Sequence, residues 1–185
     1  MEQSGKPPGR DQIRAPLTRD WIMKQSSGAV LFVCLGNICR SPLAEAAFRR
    51  EAQRAGLTVD IDSAGTGGWH AGEPPDPRAQ TIAWRHGVDI SDYRARQISA
   101  DDFKRFTHII ALDRDNLAAL RRLRPKDCLA SLSLLLDEVP GREGQSVADP
   151  YYGGLKDFEV TWADVSAGAA SLALRLLRGR NTPSD

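Results

Sequence analysis

The stretch AVLFVCLGNICRSP, residues 29–42, decides the fold. It opens on six consecutive apolar residues, Ala29 to Cys34, several of them β-branched or aromatic. A run without polar alternation is the pattern of a strand covered on both faces. The run stops at Cys34, and Leu35 to Cys39 form a short loop in which Gly36 and Asn37 tolerate left-handed backbone angles. Ser41 followed by Pro42 then reads as an N-cap ahead of a proline in the first helical turn. Glu45 suits the positive end of a helix dipole, and Gly56 supplies a stop. The first unit is therefore predicted as strand, tight loop, helix.

Outward from this unit the same alternation recurs. Thr58–Ala64 alternates as a second strand, and Pro77–His86 reads as a helix closed by Gly87. His108–Leu112 is a third, buried strand, followed by a helix from Asp113 or Asp115 to about Arg124. Cys128–Leu132 reads as a fourth, weaker strand. From about Lys156 to Leu177 the residues Phe158, Trp162, Val165, Ala169, Leu172 and Leu176 recur at three- and four-residue steps, the stripe of an amphipathic helix. Strands alternating with helices predict right-handed crossovers and a doubly wound α/β domain with a parallel sheet of about four strands. The unpatterned segments 65–76 and 139–154 would emerge at the carboxyl ends of the strands, where ligands sit in such folds. Residues 1–27 are polar and rich in Pro and Gly, with at most a short helix over Leu17–Met23, and read as a disordered extension. The expected domain is 28–180, with a flexible end at 181–185.

Composition narrows the function. With 25 Lys and Arg against 24 Asp and Glu, the formal charge of +1 gives no field for nucleic acid or an acidic membrane surface, so any anion must be held by a local site. Three cysteines, Cys34, Cys39 and Cys128, make no disulfide framework and suit a reducing compartment. No apolar run has membrane-spanning length, and the amino terminus lacks the apolar stretch of a signal peptide, so a soluble cytoplasmic protein is expected. No clustered His, Asp and Glu set suggests a metal or other cofactor.

The chemistry gathers on Cys34 and Arg40. A loop that curls at a helix N-terminus turns its backbone N–H groups inward as an anion nest. The same positive field favours a thiolate at its floor. An arginine six positions on can fork onto two phosphoryl oxygens, which lysine cannot. A lone cysteine ending a buried strand usually only packs; Gly36, Arg40 and Ser41 in register between strand and helix reverse that reading. Trp69, Tyr151 and Tyr152 read as walls of a deep slot that takes a phenyl ring, with packing in the core the alternative for Trp69.

The segments VLFVCLGNICRSPLAEAAF, DSAGTGGWHAGEPPDPRA, HGVDISDYRARQIS, ALDRDNL and ADPYYGG resemble, in order, the low-molecular-weight protein tyrosine phosphatases over about residues 28–178. The resemblance implies that Cys34 is the nucleophile, forming a phosphocysteine. It further implies that Arg40 binds the phosphoryl group and that Asp149 is the general acid and then the base. Leu35, Gly36, Asn37, Ile38, Cys39 and Ser41 would line the phosphate loop, which would also hold phosphate, sulfate or vanadate. Asn37, Ser63 and His86 match positions of a polar network bracing that loop, and Ser41 would also donate to Cys34. The substrate implied is a phosphotyrosine-containing protein. Arginine phosphatases resemble the same loop but carry threonine at the position of Ile38, which favours tyrosine here. A thioredoxin-coupled arsenate reductase needs a relay of further cysteines that this chain lacks, and a catalytically dead adaptor would have lost Cys34, Arg40 or Asp149. Cys39, on the same tight loop, is expected to form a reversible disulfide with Cys34 under oxidation.

Overall fold

A computed structural model describes residues 28–180. The strands are β1 (Ala29–Cys34), β2 (Asp60–Gly65), β3 (His108–Ala111) and β4 (Ser131–Leu134). They form one parallel sheet in the order β2-β1-β3-β4, with Phe32 beside Ser63 on one side and Ile110 on the other. The helices are α1 (Arg40–Arg54), α2 (Pro77–Arg85), α3 (Asp102–Arg105), α4 (Arg114–Leu123) and α5 (Leu155–Arg180).

The unbroken apolar run of β1 has a direct cause, because both faces of the strand are covered. Val30, Phe32 and Cys34 enter one core with Leu43 and Phe48 of α1, Ile82 of α2 and Phe158, Trp162 and Val165 of α5. Leu31 and Val33 enter the other with Phe103 of α3, Ile109 of β3 and Leu117 and Leu120 of α4. The stripe expected on the last helix is buried as a set, from Phe158 to Leu176.

Two expectations are corrected. The fourth strand is Ser131–Leu134, continued by one turn of 3-10 helix over Leu135–Glu138, and not Cys128–Leu132. Cys128 instead closes a turn, its N–H on Pro125 O and its carbonyl accepting from Arg124, while Leu129 is almost wholly exposed. Cys128 and Ala130 are buried as well, but the pairing with β3 runs only from Ser131 to Leu134, and Leu134, Leu135 and Leu136 carry the buried run onward. Ser41 is not the cap of α1, which starts at Arg40 with Cys39 in the cap position and no side-chain cap. The short helix α3 was not evident in the sequence pattern.

Candidate active site

The loop after β1 is shaped by where its carbonyls go. Cys34 O accepts from Thr66 N–H at 2.9 Å, Leu35 O from Gly67 N–H at 2.9 Å and Ile38 O from Asp76 N–H at 2.8 Å. With these oxygens engaged by the flanking segments, the N–H groups of Gly36, Ile38 and Cys39 take no backbone acceptor among the described residues and are available to an anion. Asn37 lies at φ +57°, the only non-glycine residue with positive φ among the described residues. Gly65 is needed at the end of β2, since a Cβ there would stand 2.7 Å from Leu35 O.

Cys34 Sγ sits at the floor, 3.1 Å from Ser41 Oγ and accepting Asn37 N–H at 3.3 Å. The side chain of Asn37 fixes the orientation of this contact. Its Oδ1 accepts from Arg96 N–H at 2.9 Å, so Nδ2 must face the serines and donates to Ser41 Oγ at 2.9 Å and Ser63 Oγ at 3.0 Å. Ser41 accepts from Asn37, which directs its own hydrogen to Cys34 Sγ or to Ala64 O at 3.3 Å. Loss of the cap role thus has a physical reason: the hydroxyl is committed beneath the loop.

The network continues to residues that the sequence pattern did not single out. Burial pushes the Glu45 carboxyl above its ordinary range, although hydrogen bonds from Ser63 and Arg49 pull the other way. Tyr93, against Glu45 and Arg49, is pushed up to about 12, first by burial and then by the Glu45 charge. The Arg96 guanidinium is clamped between Asp62 and Asp102, both at 3.0 Å, which holds its backbone N–H on Asn37. His86 is the correction here. Its Nε2 shares a 2.9 Å hydrogen bond with Glu159 and its ring stacks on Trp162, so it ties α2 to α5 and does not reach the loop.

This bracing predicts a separable pair of effects. Asn37→Gly keeps the left-handed backbone but removes the amide, leaving buried Ser41 and Ser63 short of partners at about 1–3 kcal/mol. Asn37→Ala adds the cost of a Cβ at positive φ, about 1–2 kcal/mol. Thermal unfolding should therefore rank wild type above the glycine variant and the glycine variant above alanine. Equal midpoints for the two variants would exclude backbone strain at this position.

Arg40 is buried and stands between two carboxylates from distant parts of the chain. Its Nη1 donates to Asp113 Oδ2 at 2.5 Å and its Nη2 to Asp149 Oδ2 at 2.8 Å. Burial alone would lower the guanidinium pKa, but the neighbouring Cys34, Asp149 and Asp113 outweigh it and raise it. Asp113 is itself fixed as the N-cap of α4, Oδ1 accepting from Asn116 N–H at 2.6 Å. Asp149 hangs from the loop before α5, its Oδ1 accepting from Tyr151 N–H at 3.2 Å.

Above Cys34 opens a cleft of about 200 Å³. It is lined by Leu35, Gly36, Ile38, Cys39 and Arg40 below, and by Trp69, His70, Asp149, Tyr151 and Tyr152 at the mouth. Trp69 is thus a wall residue and not core. Tyr151 and Tyr152 meet edge to face at 5.1 Å. Arg78 anchors their loop by donating to Gly153 O at 2.7 Å. Its guanidinium also lies over the Tyr151 ring. His70, which bonds Glu73 at 2.7 Å, was not foreseen at the mouth. Burial, with Asp76 and Cys34 nearby, drives the Cys39 thiol far above its ordinary range, so it stays protonated. All three cysteines are free.

A floor sulfur, inward amides, a buried arginine and a carboxylate facing it compose a site that suits in-line displacement at phosphorus. The family model described as low molecular weight phosphotyrosine protein phosphatase matches residues 29–181. A low molecular weight phosphotyrosine protein phosphatase of Schizosaccharomyces pombe is 46% identical over 132 residues, 70% of this chain and 84% of that protein. The solved structure of a protein tyrosine phosphatase from Entamoeba histolytica, with Hepes in its active site, superposes with a TM-score of 0.77 at 35% identity, covering 82% of this chain and 98% of that one. A Drosophila arginine phosphatase structure also aligns, with a TM-score of 0.75 at 29% identity, covering 84% and 99%.

Proposed function

This chain belongs to the low molecular weight phosphotyrosine protein phosphatase family and is a protein tyrosine phosphatase; from that premise we propose that Cys34, Arg40 and Asp149 carry the reaction on phosphotyrosine in proteins and on small aryl phosphates. The observation that carries the reading is the convergence on Arg40: six residues past the floor sulfur, its guanidinium is bonded at 2.8 Å to a carboxylate 109 positions away.

The steps follow from the contacts. The amides of the loop and the fork of Arg40 hold the equatorial phosphoryl oxygens, and Asp113 keeps the guanidinium aimed. Cys34 Sγ attacks phosphorus in line, and the bond from phosphorus to the phenolic oxygen breaks. Asp149, displaced from Arg40 by the phosphoryl oxygens and protonated from solvent, gives that proton to the leaving oxygen. The ionised Asp149 then takes a proton from water, which attacks the phosphocysteine and releases phosphate. Ser41, held as an acceptor by Asn37, donates to the departing sulfur. Trp69, Tyr151 and Tyr152 sandwich the ring, and the depth of the cleft disfavours the shorter phosphoserine. The free cysteines fit the reducing, cytoplasmic setting that we propose.

The likeness to an arginine phosphatase makes phosphoarginine the reading to test against. Ile38 is buried and lines the cleft with an apolar side chain that offers the guanidinium of phosphoarginine no hydrogen bond. In the presence of EDTA, kcat/KM for a phosphotyrosyl peptide is expected to exceed that for the phosphoarginyl peptide by at least about tenfold, and Ile38→Thr to narrow the gap. Faster hydrolysis of phosphoarginine by the unaltered protein would overturn the assignment.

A further inference from the structure

Next to the catalytic cleft lies a second one, of about 400 Å³, between the loops after β1 and β2 and the exposed side of α4. Leu35 and Trp69 line both clefts and form a wall shared by the two. The far wall is α4, which presents Ala119 and Leu123 beside Asp115, Asn116 and Arg122. Leu35, Trp69 and Leu123 are 48%, 72% and 52% exposed. Three large apolar side chains around one concavity, continuous with a substrate site, form the kind of patch that a partner covers. The volume falls in the range of pockets that hold small ligands, roughly 300–1,000 Å³.

We propose that this cleft receives an apolar side chain of the protein substrate, carried two residues from the phosphotyrosine. The inference rests on the phosphotyrosine reading given above. In an extended segment, neighbouring side chains point to opposite faces, and residues two apart lie on the same face at about 6.5–7 Å. That spacing lets one segment straddle the shared wall, with its phosphotyrosine over Cys34 and the next same-face side chain beyond Leu35 and Trp69. The adjacent residue in sequence points away from the enzyme. Leu35, Ala119 and Leu123 offer the occupant apolar contact, which selects Leu, Ile, Val or Met over polar residues. Continuity with the catalytic mouth assigns the cleft to the substrate and not to a second copy of this chain.

The test compares phosphotyrosyl peptides carrying Leu or Ser two residues before, or two residues after, the phosphotyrosine. Leucine at one of these positions is expected to raise kcat/KM about tenfold over serine. Leu123→Asp and Ala119→Phe, which charge and fill the cleft, should each reduce that preference below about twofold. Both variants should leave kcat/KM for p-nitrophenyl phosphate unchanged, which also reports that they are folded. The proposal is overturned if neither position shows a preference, or if the preference survives in both variants. It is likewise overturned if Leu123→Asp abolishes concentration-dependent dimerisation in sedimentation while the peptide preference stays. Failure of the unaltered protein to hydrolyse p-nitrophenyl phosphate would instead defeat the phosphatase reading itself, so the two failures are distinct.

Discussion

Cys34→Ser is expected to lower kcat for aryl phosphates by at least about 10⁴-fold while leaving the phosphate site formed. The atoms around Cys34 Sγ explain the size of the effect. Asn37 N–H donates to it and Ser41 Oγ lies 3.1 Å from it, and neither is a base. Such neighbours can stabilise charge on a sulfur, but they cannot remove the proton of a serine hydroxyl, which is a weak nucleophile until a base activates it. The anion ligands are untouched, since the loop amides and Arg40 do not depend on the sulfur. Titration calorimetry should therefore find inorganic phosphate bound within about threefold of wild-type affinity. Lost phosphate binding together with lost turnover would show that the substitution unmade the loop and would leave nucleophilic catalysis by Cys34 without support.

Asp149→Ala carries the second largest effect, a loss of about 10²–10⁴-fold in turnover of phosphotyrosine. Removing this carboxylate frees Nη2 but does not release Arg40, because Nη1 still donates to Asp113 and to Val147 O at 3.4 Å. Substrate affinity should change little, and the loss should fall on kcat. The diagnostic is the leaving group. In single-turnover experiments that read the phosphorylation step, a poor leaving group needs the proton of Asp149 and a nitrophenolate does not. The variant should show a steep dependence of rate on leaving-group basicity where the unaltered protein shows a shallow one. Equal losses across the series would remove the acid role.

How much of this was legible in the sequence depended on how far apart the cooperating residues are. The strand, loop and helix around Cys34 are local, and β1, buried on both faces, announced itself as an unbroken apolar run. The stripe of α5 was equally plain because Phe158 to Leu176 repeat on one face. Asp149 was different. Asp before Pro is ordinarily a turn, and only the resemblance tied it to Arg40, whose partners Asp113 and Asp149 lie 73 and 109 positions away.

Errors came where a residue had two possible partners. Ser41 before Pro42 had the pattern of a cap, yet the buried sulfur and Asn37 claimed its hydroxyl. His86 was assigned to the loop network by position, whereas Glu159 and Trp162 of α5 hold it elsewhere. Arg96 left no signal at all, since it acts on Asn37 through a backbone N–H that any residue possesses. The readings of residues 1–27 and 181–185 lie outside the described residues.

Identifying the phosphorylated atom during turnover tests the central claim most directly. The protein is mixed with an excess of aryl phosphate, quenched within milliseconds and digested, and the peptides are read by mass spectrometry. One phosphoryl group on the sulfur of Cys34, appearing with the first burst of phenol, is the predicted result. A phosphoryl group on an oxygen or nitrogen elsewhere, or a burst-free reaction with no phosphorylated peptide, would contradict it.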